Sequence, residues 1–261
     1  MADNAASTCL AIADYIGAAL GLPVNFMKDV PWRQCEMLLD QGKIQLCWIC
    51  GLPYAWKAAA ENPHIELCAV PVMRDERYQK RPVYFSDVVV HKQSGFKSFA
   101  DLRGASWSYN EPRSHSGFNV VRHHLATLGE RSGYFGTAVE SGAHQQSLEM
   151  ILRREIDASA IDSTVLEAEL RRSPRLKEEI RIIETLGPSP MPPWVVARSL
   201  PRALKNAITA AFIDMHATPH GEKILAGWGI SHFAVPDGDA YEPILHMERA
   251  ANGVRLAQNM A

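Results

Sequence analysis

The chain has 261 residues, 47% of them hydrophobic, and its 27 Lys and Arg against 29 Asp and Glu leave a formal net charge of −2. That length buries a substantial core in one large domain or two ordinary ones, and so even a charge balance offers no basic field to nucleic acid or an anionic membrane. No apolar run reaches the roughly 18 residues a membrane helix needs, so no membrane span is predicted.

In chain order, "CLAIADYIGAALG" is apolar, but Asp14 interrupts it and Asp3 stands where an export signal carries Lys or Arg. It reads as an amphipathic helix of the mature fold, Ser7–Leu20, ended by Gly21; any export signal is expected upstream of Met1. A strand follows at Pro23–Met27, then a helix opened by Pro31 with Cys35, Leu38 and Leu39 on one face. Ile44–Ile49 is a buried-strand run that stops at "GLPYAW", and another strand runs from Ile65 to about Val72. Arg74–Pro82 is polar and aperiodic, an exposed connection, and "VYFSDVVVH" after it is strongly β-prone. In "SFADLRG", Ser98 and Asp101 have capping-box spacing and Gly104 closes the turn.

Strand Ala105–Tyr109 leads into "NEPRSHSGFNVVRHHL", a helix with Phe118, Val121, Leu125 and Leu128 on one face. "GTAVESGAHQQSLEMILRREIDASAIDSTVLEAEL" then reads strand, helix, strand, helix. "GPSPMPPWVVA" is a second crossing between halves, and helices follow at about Pro201–Thr218, His220–Trp228 and Tyr241–Asn259. The alternation predicts an α/β protein with parallel sheets. Crossings near 82–91 and 190–197 divide it into a first lobe of residues 1–85 and 191–261 and a second lobe of 86–190, with a ligand cleft between them.

Five cysteines, Cys9, Cys35, Cys47, Cys50 and Cys68, show no disulfide-framework spacing. "CWIC" falls inside a predicted strand, where residues three apart face opposite sides, so it reads as buried thiols and neither a redox pair nor half a zinc site. Pro219 separates His216 from His220, and the adjacent His123 and His124 cannot share a helix face, so no metal site is predicted.

The chemistry concentrates at Ser114–Gly117. Capping needs one side-chain oxygen, yet here two hydroxyls, a histidine and a glycine share one turn. The free N–H groups and positive dipole end of that turn favour an anion, and Gly117 lets a ligand approach the backbone. The pattern recurs one unit later, with His144 at a helix start after "ESGA", and again where Asp162 ends the strand of "AIDSTVL". Alone, His144 and Asp162 read as ordinary capping residues and the Ser114–Gly117 turn reads equally as a site or an over-provisioned cap; all three fall at strand-to-helix junctions of one block.

Together "YFSDVVVHKQSGFKSFADLRG", "NEPRSHSGF", "ESGAHQQSLEMILRREIDASAIDSTVL" and "GPSPMPPWVVA" resemble the phosphate/phosphite/phosphonate substrate-binding proteins of ABC transporters, over nearly the whole chain and most strongly from about Tyr84 to Ala197. The resemblance implies an α/β, two-lobed type II periplasmic-binding-protein-like fold with two hinge crossovers and an inter-lobe cleft. It implies a small phosphorus oxyanion as ligand, an ABC permease and ATPase as partners, a periplasmic or extracytoplasmic place, and neither cofactor nor catalytic residue. Residue by residue, it implies that Ser114, His115 and Ser116 hold the oxyanion beside Gly117, that His144 adds a donor and Asp162 an acceptor, and that Tyr54 and Tyr84 reach in from the other lobe and the hinge. An Asp162 carboxylate suits a ligand with a proton or an amine to donate. The family's opening strand is not found after Met1, so the first lobe is expected to show a gap or a borrowed strand unless that strand lies upstream. An enzyme or a cytoplasmic ligand sensor on the same fold is the alternative; no nucleophile with an adjacent base and orienting acid is legible.

Overall fold

In a computed structural model that describes residues 6–27 and 30–258, the chain forms two units: residues 6–83 with Pro190–Glu242, and Tyr84–Ser189 with residues 243–258. The sequence reading keeps 191–261 together in the first lobe, whereas here the stretch from Pro243 onward joins the second unit.

The first unit opens with helix α1 (Ala6–Leu20), whose buried Cys9, Ile12, Ala13 and Ile16 recur at helical spacing. Helix α2 (Trp32–Asp40) starts behind Pro31, and β1 (Leu46–Trp48), α3 (Gly51–Ala58) and β2 (Ile65–Met73) follow. The strand predicted at Pro23–Met27 does not form. No strand pairs with it among the described residues, and Leu22, Val24 and Met27 are exposed, so neither ladder hydrogen bonds nor burial holds it. The run predicted at Ile44–Ile49 is pared to β1. In the supposed exposed connection, Asp75 caps a short 3-10 turn, Glu76–Tyr78, that buries Tyr78 completely.

The second unit is built from β3 (Val83–His91), β4 (Ser106–Tyr109), a π-helical turn His115–Asn119 running into α4 (Val120–Thr127), β5 (Ser132–Phe135), β6 (Thr137–Glu140), α5 (His144–Leu152), β7 (Ala158–Asp162), α6 (Ser163–Arg172), α7 (Leu176–Glu179) and β8 (Ile180–Pro190). The expected Ser98–Asp101 capping box is present: Asp101 Oδ2 accepts from the Ser98 N–H at 2.9 Å. The chain then returns to the first unit for β9 (Trp194–Ala197), α8 (Arg202–Asp214), α9 (Pro219–Trp228) and β10 (Ile230–Ala234). It ends with α10 (Glu242–Ala250) and β11 (Arg255–Ala257). The single helix predicted over Tyr241–Asn259 is therefore cut short. Gly253, at φ +77, turns the chain, and β11 pairs parallel with β5.

The first unit's sheet has the order β1-β9-β2-β10, with every neighbour antiparallel. The second has the order β6-β4-β7-β3-β8, in which β4 runs parallel to β6 and β7 while β3 opposes β7. The parallel pairing predicted from the alternation is thus found in β6-β4-β7 and in the two-stranded β11-β5 sheet, while the first unit's sheet is antiparallel throughout. Strands β3 and β9 lie near where the chain changes unit; β3 runs against β7, and β9 runs against β1 and β2.

Period-two burial on β3 sets the layers of the second unit. Val88 and Val90 face a core with Trp107, Leu125, Phe135 and Leu256, while Val89 faces the opposite one with Leu148, Ile151, Ile161 and Leu166. Leu128, placed by periodicity on the buried face of α4, follows the helix end and is exposed. In the first unit α1 packs on α8 and α9, and buried Phe212 sits 5.2 Å from the Trp194 ring and 4.8 Å from Phe233.

Candidate functional site

Because β6, β4 and β7 are parallel neighbours, their C-terminal ends share one edge of the second unit's sheet. Each end feeds a helix start: β4 leads to the π-turn and α4, β6 to α5, β7 to α6. Strand β3 runs the other way, so its beginning lies at the same edge, with Ser86 opposite Asp162.

Ser114 is an extended N-cap, at φ −71 and ψ 133, whose Oγ accepts the Gly117 N–H at 3.1 Å. The Asn119 N–H donates to the Ser114 carbonyl at 3.0 Å, five residues back, which widens the first turn to a π-helix. Ser116 Oγ lies 3.4 Å from Ser114 Oγ and 2.9 Å from His144 Nε2. His144 begins α5; burial lowers its pKa from 6.5 to about 4, so the ring is neutral at pH 7. Its Nδ1 is buried with no hydrogen-bond partner among the described residues.

His115, between the two serines, is fully buried. Its Nδ1 lies 3.1 Å from Asn119 Nδ2 and its Nε2 lies 2.9 Å from Ser189 Oγ, while the Tyr84 ring, also fully buried, stands edge-on at 6.5 Å. Gly117 has a steric reason of its own. A Cβ there would overlap Asn110 Oδ1 and come within 3.2 Å of His144 Cε1, so the space that the sequence reading leaves for ligand is filled by this chain's own side chains.

Asp162 caps α6, its Oδ1 accepting from the Thr164 N–H at 2.8 Å and the Thr164 hydroxyl at 2.7 Å. Burial raises its carboxyl from 3.8 to about 6 against those hydrogen bonds, and nearby Asp87 pushes the same way. The π-turn packs directly against β7, the strand that ends at Asp162.

Of the eight predicted residues, Ser114, Ser116, Gly117 and His144 meet in one cluster. Asp162 stands at the adjoining strand end, and His115, within the turn, and Tyr84, against the His115 ring, are fully buried. Tyr54 belongs to the first unit, on α3, where its ring packs edge-on against Tyr241 at 4.6 Å and burial pushes its hydroxyl up to about 12. Sequence reasoning missed Asn110, Asn119 and Ser189. Asn110 carried a readable signal, a carboxamide immediately after a strand, whereas Ser189 meets His115 across 74 residues of sequence.

The cluster offers hydroxyls, a neutral imidazole and a helix start, a donor set for an oxyanion. No group of three or more His, Cys, Asp or Glu able to hold a metal occurs among the described residues. Cys47 lies on β1 and Cys50 precedes α3; burial pushes the Cys47 thiol up to about 12, and neither forms a disulfide.

A family model of periplasmic substrate-binding proteins of phosphonate ABC transporters matches residues 2–241. Among solved structures, a binding-protein component of a phosphonate ABC transporter from Pseudomonas aeruginosa is similar over 97% of this chain and 83% of its own, with 20% identity and a TM-score of 0.83. PhnD1 from Prochlorococcus marinus, solved in complex with methylphosphonate, matches over 97% of this chain and 94% of its own, with 17% identity and a TM-score of 0.83. An ancestral arginine-binding protein bound to arginine shares 18% identity over 85% of this chain and 87% of its own, with a TM-score of 0.58. These structural likenesses show the fold, that of the type II periplasmic binding proteins.

Proposed function

The chain belongs to the phosphonate-binding family of periplasmic substrate-binding proteins of ABC transporters, and from that premise we propose that the Ser114–Gly117 turn, with His144 and Asp162, binds a small phosphorus oxyanion that keeps one proton or carries an amine. The observation that carries this reading is the Ser116 Oγ–His144 Nε2 contact of 2.9 Å at the start of a helix, beside a second hydroxyl and a buried, unpartnered Nδ1. Every group in the cluster is neutral, so it holds an oxyanion through hydrogen bonds and the helix dipole. The Asp162 carboxylate at the neighbouring strand end repels a bare dianion and accepts from a P–OH or an ammonium group.

The family works with a permease and an ATPase, and we extend that to this protein as deliverer of the bound oxyanion. No helix among the described residues is long and apolar enough to cross a membrane.

Calorimetric titration with methylphosphonate, 2-aminoethylphosphonate, phosphite, phosphate and sulfate tests the reading. Ser116→Ala weakens the preferred ligand by roughly 10- to 100-fold, the value of one hydrogen bond to a charged group, while the unliganded protein loses about 1 kcal/mol, the neutral hydrogen bond to His144. Equal affinities in the wild type and Ser116→Ala sink the assignment. Tyr54 is tested on its own: unchanged affinity in Tyr54→Phe removes its hydroxyl from the ligand set.

The same contact supports a second reading, a serine nucleophile with a histidine base. That dyad lacks the third group that orients a base, because His144 Nδ1 has no partner among the described residues. The binding reading predicts no release of p-nitrophenolate from p-nitrophenyl methylphosphonate; turnover abolished by Ser116→Ala favours the enzyme.

A further inference from the structure

His115 is flanked by the two serines assigned to the ligand, yet its side chain is committed elsewhere. Asn119 Nδ2 lies 3.1 Å from His115 Nδ1 and 3.4 Å from the Ile244 carbonyl. A carbonyl only accepts, so the NH2 face of Asn119 is turned toward both, and Nδ1 is the acceptor. The ring proton therefore sits on Nε2 and donates to Ser189 Oγ at 2.9 Å. One continuous path of hydrogen bonds thus runs from α10 through Asn119 and His115 to the end of β8. It crosses the π-turn, closed by the Asn119 N–H donating to the Ser114 carbonyl at 3.0 Å. His115 and Asn119 are four residues apart on that turn, close enough to act as a pair. His115 and Ser189 are at most 1% exposed.

We propose that His115 is a positioning residue for the oxyanion site: through Asn119 and Ser189 it fixes the π-turn, so that Ser114 and Ser116 converge, and it makes no contact with the ligand. This rests on the reading of the Ser114–Gly117 turn as the oxyanion site and replaces the ligand-donor role that the resemblance assigns to His115. The position needs an acceptor toward Asn119 and a donor toward Ser189 on one short side chain. A neutral imidazole supplies both, and so does a glutamine carboxamide.

The test is calorimetry with methylphosphonate, phosphite and phosphate on the full chain carrying His115→Gln, His115→Leu, Ser189→Ala or His115→Leu with Ser189→Ala. Imidazole 15N spectra are recorded with and without the same oxyanions. His115→Gln keeps affinity within about threefold, while Ser189→Ala and His115→Leu each lose about tenfold, one hydrogen bond's worth. The double variant is no weaker than His115→Leu, because both substitutions cut one path. His115 stays in its Nε2–H form on ligand addition, whereas the His144 signals move.

His115 ring signals that shift with ligand as much as those of His144, or additive losses in the double variant, overturn the proposal in favour of direct donation. Unchanged affinities beside a lowered melting temperature overturn it in favour of a plain core residue. Should His115→Leu fail to fold, the Ser189→Ala affinity and the spectra decide. A wild type that binds none of the oxyanions sinks the site assignment, and this proposal with it; a wild type that binds while the variants behave otherwise sinks this proposal alone.

Discussion

At Gly117 two effects of a methyl group compete, and their sizes decide the outcome. Gly→Ala at a compatible position stabilises by about 0.4–1 kcal/mol through the unfolded chain. Overpacking costs about 1–3 kcal/mol, and here the added carbon overlaps Asn110 Oδ1 and approaches Asn110 Cγ at 3.1 Å and His144 Cε1 at 3.2 Å. The steric loss wins: Gly117→Ala lowers the urea midpoint and, by displacing His144, weakens oxyanion binding. Adding Asn110→Ala restores stability, since it empties the space the methyl needs. A single variant as stable as the wild type counts against the close packing described. The contrast with Ser116 shows what was legible at this scale. The positions of Ser114, Ser116, His144 and Asp162 at strand-to-helix junctions can be read from the sequence, and the family resemblance adds the roles it implies for them. That Gly117 makes room for Asn110 depends on a side chain seven residues back folding over the turn. That His115 faces Ser189 depends on a contact 74 residues away.

At the scale of elements, three parallel strands followed by helices place three helix starts on one sheet edge, and the alternation of strands and helices made that much readable. The π-turn was not, because its register is set by Asn119 reaching Ser114 and His115 at once, a choice local propensity does not encode. Strand β11 was hidden for a similar reason. Arg255–Ala257 looked like the tail of a helix, and only pairing with β5 makes it a strand. Pro23–Met27 erred in the opposite sense: its β-propensity is real, but a strand without a hydrogen-bonding neighbour is not stable. Arg122 on α4 holds the C-terminal segment in place. Its Nε donates to the Val254 carbonyl at 3.0 Å and its Nη2 to the Ala251 carbonyl at 2.6 Å. Hydrogen bonds from a charged group contribute about 1.5–3 kcal/mol. In Arg122→Ala, residues 251–258 exchange their amide protons at least tenfold faster and yield first to protease, while β3 and β7 keep their protection. Unchanged exchange at Arg255–Ala257 removes Arg122 from that role.

For the molecule as a whole, the polar groups buried at the site set how stability responds to acid. His115 and His144 titrate at about 3 and about 4 when folded, against 6.5 when free, because burial disfavours the imidazolium. Their folded values are depressed, so between about pH 4 and 6.5 the unfolded chain binds two more protons than the native one. The stability they contribute is present above 6.5 and is lost as pH falls. His124, also lowered by burial, acts in the same sense. Asp162 opposes them: burial raises it from 3.8 to about 6, so its contribution is present below 3.8 and is lost as pH rises through 6. One proton corresponds to about 1.4 kcal/mol per pH unit. Two histidines against one carboxyl contribute a net loss of roughly 1.4 kcal/mol per unit as pH falls from 6 to 4, and His124 adds to it. All three groups lie in the second unit, and five of the six tryptophans lie in the first, so amide exchange on β3 and β7 follows the relevant transition better than fluorescence. In urea series at successive pH values, Asp162→Asn removes the opposing group and steepens the slope by roughly 1.4 kcal/mol per unit. His115→Gln removes one histidine and lowers the slope by roughly 1.4 kcal/mol per unit. A wild-type stability that is flat or rising from pH 6 down to 4 contradicts the burial of both neutral imidazoles.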